Sequence, residues 1–160
     1  TMNPRPLFGL AILALLAVSC GDSATQPTVN NSVKVLTANV NNINTVFTAT
    51  VVSGTFFNGN LIISGNDGSR TLLINAGNVA GTGTITLGNP NQWNALAQVI
   101  DGTGTFSTGF LGGSGSVTLT TATLSRITGT FNFIAYTTQG TGQGAPVRTI
   151  FNGVFDISNP

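Results

Sequence analysis

The stretch RITGTFNFIAYT, residues 126–137, alternates apolar and polar side chains along almost its whole length. Ile127, Gly129, Phe131, Phe133 and Ala135 fall on one face, with Arg126, Thr128, Thr130 and Asn132 on the other, the period of a strand half-buried in a sheet. The next such stretch, VRTIFNGVFDIS at residues 147–158, sets Val147, Phe151, Gly153, Phe155 and Ile157 against Arg148, Asn152 and Asp156. Two long alternating segments in succession predict an antiparallel pair whose phenylalanines stack in a common core. Gly129 and Gly153 stand on the apolar faces, where a missing side chain admits a neighbouring ring or lets the sheet bend.

Upstream, shorter runs rich in Val, Ile, Thr and Phe recur at residues 45–53, 60–64, 70–75, 83–87, 93–100, 105–110 and 115–121, separated by Gly and Asn. With the last two they make nine candidate strands, the signature of an all-β domain. No stretch after residue 20 keeps apolar residues at helical spacing beyond two turns, 95–100 alone being ambiguous, and the 21 glycines disfavour helix. The expected fold is a single antiparallel β-sandwich or flattened barrel of eight to ten short strands, mostly meander-connected, over residues 45–160. Asn66-Asp67-Gly68 and Asp101-Gly102 suit hairpin turns, because Asn, Asp and Gly tolerate positive φ. Asn152-Gly153 is a similar pair, but the alternation around it keeps it inside a strand. Core bulk is expected from Phe47, Phe56, Phe57, Phe106 and Phe110 together with Phe131, Phe133, Phe151 and Phe155.

The amino-terminal residues read as an address. Arg5 precedes LFGLAILALLAV, residues 7–18, twelve positions without a polar side chain. That length matches the apolar core of a signal peptide and falls short of the roughly 20 residues that span a bilayer. Ala17-Val18-Ser19-Cys20 then resembles the lipobox of bacterial lipoproteins, with Ala17 where that family prefers Leu. The resemblance implies diacylglyceryl transfer to the Cys20 thiol, cleavage before Cys20 and acylation of the new amino terminus. An ordinary secretory signal, or an apolar helix with an incidental cysteine, are the plainer readings. Cys20 is the only cysteine, so no disulfide within the chain accounts for it. Gly21, in place of the Asp that holds enteric lipoproteins at the inner membrane, favours the outer membrane. Met2 is read as the initiator. Residues 20–44, small and polar with Pro27 and two Asn clusters, are read as the lipidated cysteine and a flexible tether; only 33–37 has the composition of a short strand.

Charged residues make up 6% of the chain, with 5 basic, 4 acidic and no histidine. The balance gives no electrostatic footprint for nucleic acid. Without histidine there is no imidazole base and no common zinc site, and neither metal nor cofactor is expected. Acid–base chemistry would fall to two of Asp67, Asp101 and Asp156 converging as in a glycan hydrolase, yet Asp67 and Asp101 precede Gly in expected turns. The plain reading of all three is turn-forming or solvated. Lys34, Arg70, Arg126 and Arg148 are scattered and read as solubilising. Trp93 and Tyr136 are the candidate ligand contacts, as aromatic platforms for a sugar ring, against the commoner role of such rings in a core.

Three segments, GSVTL (115–119), ITGTFNFIA (127–135) and NGVFDI (152–157), resemble a family of small bacterial lipoproteins, domain of unknown function 6252. The likeness covers residues 45–158 in layout and is specific over 115–157; Gly83-Thr84-Ile85 departs from the aromatic residue usual in the family's middle strand. It implies a lipobox, a spacer and one β-rich domain, with no assigned catalytic residues. The resemblance implies a cell-envelope lipoprotein of unknown activity; together with the scarcity of charge, the chain is read as an exported, lipid-anchored, non-catalytic binding module for a glycan, small ligand or envelope protein. A structural or adhesive surface protein is the alternative, and an aspartate-dependent glycan hydrolase the remote one.

Overall fold

The computed structural model describes residues 32–40, 45–88, 94–110, 112–137 and 147–158. Eleven strands run through them: β1 (Lys34–Val40), β2 (Thr45–Thr48), β3 (Val51–Phe57), β4 (Asn60–Asn66), β5 (Thr71–Ala76), β6 (Gly83–Leu87), β7 (Ala95–Asp101), β8 (Gly104–Ser107), β9 (Ser114–Ala122), β10 (Arg126–Thr137) and β11 (Val147–Ser158). All are antiparallel to their neighbours, in the order β2-β1-β11-β10-β8-β7-β5-β4-β3, with β9 also on β10 and β6 on β9. The sheet curls into a half-barrel, the all-β flattened form expected. Four runs of consecutive paired strands, β1–β2, β3–β4–β5, β7–β8 and β9–β10–β11, are meander-connected; β6 leaves the sequence order to pair with β9.

Glycines set how flat the barrel becomes. A Cβ on Gly54 of β3 would come within 2.7 Å of Ile157 and 2.8 Å of Ile127, and one on Gly65 of β4 would run into Leu36 and come within 2.9 Å of Ala49. The β3–β4 wall therefore lies directly on the β1–β11–β10 wall, an approach that any side chain at these positions would block. Within β10 and β11, Gly129 pairs with Phe155 and Gly153 with Phe131. Each ring covers the neighbouring glycine, so the two expected bare spots on the apolar face are filled reciprocally. Phe131 stacks on Phe133 with ring centroids 6.2 Å apart and lies 6.3 Å from Phe155.

The inner face expected for β10 is the buried one: Ile127, Gly129, Phe131, Phe133 and Ala135 all face the core. In β11 the alternation holds from Gly153 to Ile157 but fails before it. Phe131 pairs with Gly153 and Phe133 with Ile150, so β11 carries one extra residue, and β1 meets the same excess between Thr37–Val154 and Asn39–Phe151. Asn152 sits in the left-handed region at φ 53°, making a bulge that Asn accommodates. The bulge hands the inner position to Ile150; Phe151 is half-buried and Val147 exposed, contrary to their expected inward placement.

Further corrections concern the amino-terminal strands and two phenylalanines. Residues 34–40 form β1, with Leu36, Ala38 and Val40 buried and the strand paired to β11, so the short strand expected at 33–37 runs further and packs against residues 45–158. Expected strand 45–53 is two strands, broken where Ala49 N–H donates to Leu36 O (3.0 Å) and Thr50 N–H to Asn66 O (2.8 Å) as the chain crosses from one wall to the other. Phe57, expected in the core, ends edge strand β3 and is 59% exposed. Phe110, also expected there, is half-buried beyond the end of β8. Residues 95–100, the ambiguous stretch, are strand β7.

Candidate functional site

Ala17, Val18, Ser19, Cys20 and Trp93 lie outside the described residues. Tyr136 is half-buried near the end of β10, between Ser107 and Val147, with its ring 3.3 Å from where a Cβ on Gly112 would stand. It does not line the cleft on the flank of the barrel.

That cleft, about 570 Å³, opens between the β5–β6 connection, strand β6 and the start of β7. Its shape follows from the connection's backbone. Gly77 N–H donates to Asn94 O at 2.6 Å and Val79 N–H to Gly59 O at 2.9 Å, tying the loop at both sides. Between them Asn78 is left-handed at φ 58°, and Gly81 at φ 145° and Gly83 at φ 132° carry the chain back into β6. Lining side chains that can hydrogen-bond are Asn78, Thr82, Thr84, Thr86 and Asn94, and none of the described lining residues is charged. The set offers amide and hydroxyl groups, each able to donate and accept. A neutral, hydroxyl-rich ligand fits such a lining, and a lining this polar is unlike the mostly apolar pockets of drug-like ligands. Trp93 immediately precedes Asn94 in the chain.

From β6 the hydroxyl groups continue across the outer face of the sheet. Thr84 pairs with Thr118, Thr118 with Thr130, and Ser116 with Asn132. Thr84 Oγ1 and Thr118 Oγ1 are 2.9 Å apart, Thr120 Oγ1 and Thr128 Oγ1 2.7 Å, and Asn132 Nδ2 donates to Ser116 Oγ at 3.3 Å. Cross-strand pairs of this kind stiffen a sheet while leaving its surface uncharged. A second depression of about 420 Å³ lies at the β11 bulge, lined by Thr130, Asn132, Phe151 and Asn152 among others.

Each described aspartate is held by an arginine. Asp67 closes the β4–β5 turn by accepting Ser69 N–H (3.0 Å) and Arg70 N–H (2.7 Å) and pairs with the Arg70 guanidinium at 2.6 Å. Asp101 accepts Thr103 N–H at 2.8 Å, and Arg148 Nε donates to it at 2.7 Å. Asp156 accepts both Nε and Nη2 of Arg126. Arg70 and Arg148 also lie over the rings of Phe47 and Phe106, with 5.6 and 4.1 Å to the centroids. These two arginines therefore cap core phenylalanines, which corrects their reading as scattered solubilising charges; Arg70 meets its aspartate within one turn, whereas Asp101 stands 47 residues from Arg148. No group of three or more carboxylate, thiol or imidazole ligands for a metal occurs among the described residues.

Burial raises the Asp67 and Asp101 carboxyls, but hydrogen bonds and the adjacent guanidinium outweigh it, and both end below the usual carboxylate value of 3.8. Asp156 is lowered chiefly by its hydrogen bonds from Arg126. A folded-state pKa below the unfolded one adds stability that is full above the unfolded value and is lost as pH falls through the folded one. Urea midpoints should thus stay level above about pH 5 and drop as pH falls below about 4. Arg148→Met should lower stability by about 2 kcal/mol at neutral pH and reduce the further loss on acidification, because Asp101 then keeps its burial without its cation.

An antiparallel half-barrel with an uncharged flank cleft and ion-paired aspartates defines a small all-β domain whose cleft is lined by hydroxyl and amide groups. The chain belongs to the family described as domain of unknown function (DUF6252), whose model matches residues 34–156, from the first residue of β1 into the end of β11. No curated protein and no solved structure matches it.

Proposed function

We propose that the protein is a lipid-anchored envelope module that binds an uncharged, hydroxyl-rich ligand, a glycan by chemistry, in the cleft beside β6. The observation that carries the reading is the lining: five side chains with amide or hydroxyl groups and no charge among the described residues. Neutral sugars are held by such groups, and charged ligands would find no counter-ion there. A non-catalytic role is supported by the engagement of Asp67, Asp101 and Asp156 with arginines, since a two-carboxylate hydrolysis needs two acids facing one bond. The hydroxyl ladder from Thr84 to Thr130 favours, as a second reading, a structural or adhesive surface that meets its partner through a flat face.

Titration of isotopically labelled protein with oligosaccharides of glucose and of N-acetylglucosamine should move amide resonances of residues 77–86 and the side-chain amides of Asn78 and Asn94. Combining Asn78→Gly, which keeps the positive φ, with Thr86→Val should weaken binding at least about tenfold, one or two lost hydrogen bonds' worth. Shifts that are absent throughout both series, or confined to the hydroxyl ladder, would turn the assignment away from the cleft.

A further inference from the structure

We infer that one end of the half-barrel, the end bearing the β9–β10 hairpin tip, rests on the bilayer surface and fixes the orientation of the domain. The inference rests on the reading of Cys20 as the lipid anchor. The described chain joins β1 through Val33, whose N–H donates to Ser158 Oγ at 2.7 Å and whose carbonyl accepts Ser158 N–H at 2.8 Å. Ser158 in turn pairs with Arg126, two residues after Leu124. The amino-terminal approach, the end of β11 and the hairpin tip therefore share one end of the molecule.

Twelve residues, 21–32, separate Cys20 from Val33. As the coil their composition predicts, they have a root-mean-square span of about 20 Å, against about 35 Å across a compact domain of this size. A tether whose mean span is smaller than the domain favours the end it joins as the one nearest the membrane. That end carries apolar side chains in water: Leu124 is 72% exposed, Val35 41% and Val33 38%. Beside them Lys34 is exposed and forms no ion pair among the described residues, leaving its ammonium for lipid phosphate, while Arg126 shares its charge with Asp156. The opposite end also exposes apolar residues, Val46, Val51, Ile100 and Val147, so what distinguishes the hairpin-tip end is its continuity with the amino-terminal approach and Lys34, which has no ion pair among the described residues.

The test uses the full chain, acylated at Cys20, in vesicles of phosphatidylethanolamine and phosphatidylglycerol. A fluorophore is placed on a new thiol at the hairpin tip (Ser125→Cys) or at the β4–β5 turn (Ser69→Cys), and a quencher is carried on the lipid headgroups. Flotation with the vesicles is read first. Quenching at 125 should exceed that at 69 at least threefold, and adding Leu124→Asp to the Ser125→Cys protein should reduce the difference. Equal quenching at the two sites, or more at 69, in protein that floats overturns the orientation and leaves the anchor standing. Protein that does not float overturns the anchor reading and the orientation together.

Discussion

Gly129→Val should leave the domain unfolded or close to it. The position is buried on the inner face of β10, and a Cβ there would press into the carbonyl oxygen of Thr118 and stand 2.7 Å from Cζ of the Phe155 ring. The ring has no free direction, because it already lies against Phe131, and the carbonyl belongs to the β9 backbone. Relief thus requires separating β9 from β10, which pair from Ile127 to Ile134. Overpacking a core ordinarily costs about 1–3 kcal/mol and occasionally more, and a clash with backbone, made worse by branching at Cβ, belongs at the upper limit. Domains of this size have about 5–15 kcal/mol in total. Gly102→Ala supplies the contrast: nothing lies within 4 Å of its Cβ position, and its φ is outside the left-handed range. Its urea midpoint should stay within about 0.5 kcal/mol of the parent, whereas Gly129→Val should show no cooperative transition or one shifted by at least about 3 kcal/mol. A mild effect at Gly129 would mean that β9 and β10 are not packed as described.

Cys20→Ala should move the protein from the membrane fraction to the alkaline wash. Each buried methylene contributes about 0.8 kcal/mol, so each acyl chain contributes on the order of 10 kcal/mol and two or more hold a protein stably. The twelve-residue apolar run ahead of Cys20 is too short to replace them, even if the variant keeps it. Fractionation of cells expressing the two forms should show at least a tenfold fall in the washed membrane pellet. A variant that stays with the pellet would remove the lipid from the account.

Much of the architecture is written in the local period of the chain. β10 reads directly, because Ile127 to Phe133 alternates without a break and β9 and β11 both pair along it. β1 contains the same period, Leu36, Ala38 and Val40 against Thr37 and Asn39, but in a strand of only 7 residues. The strand owes its place to β11, more than a hundred residues away, and no local signal reveals that partner. Phe151 was expected inside because its apolar character suits a core; one extra residue at Asn152 reverses the face of everything before it. The Arg148–Asp101 pair is similarly hidden, since the two residues meet only after β7, β8, β10 and β11 are assembled. For the cleft, Thr84 and Thr86 are visible as a polar face of β6, but its concavity comes from the left-handed Asn78 and from two backbone ties, which composition does not announce.

Whether lipid on Cys20 holds the domain at the envelope is decided by the mass of the mature chain. Protein expressed in bacteria from Met2 and extracted from membranes with detergent should begin at Cys20 and carry a thioether-linked diacylglyceryl group and an amide-linked acyl chain. A mature chain that begins elsewhere, or one that carries Cys20 with a free thiol, would contradict the account.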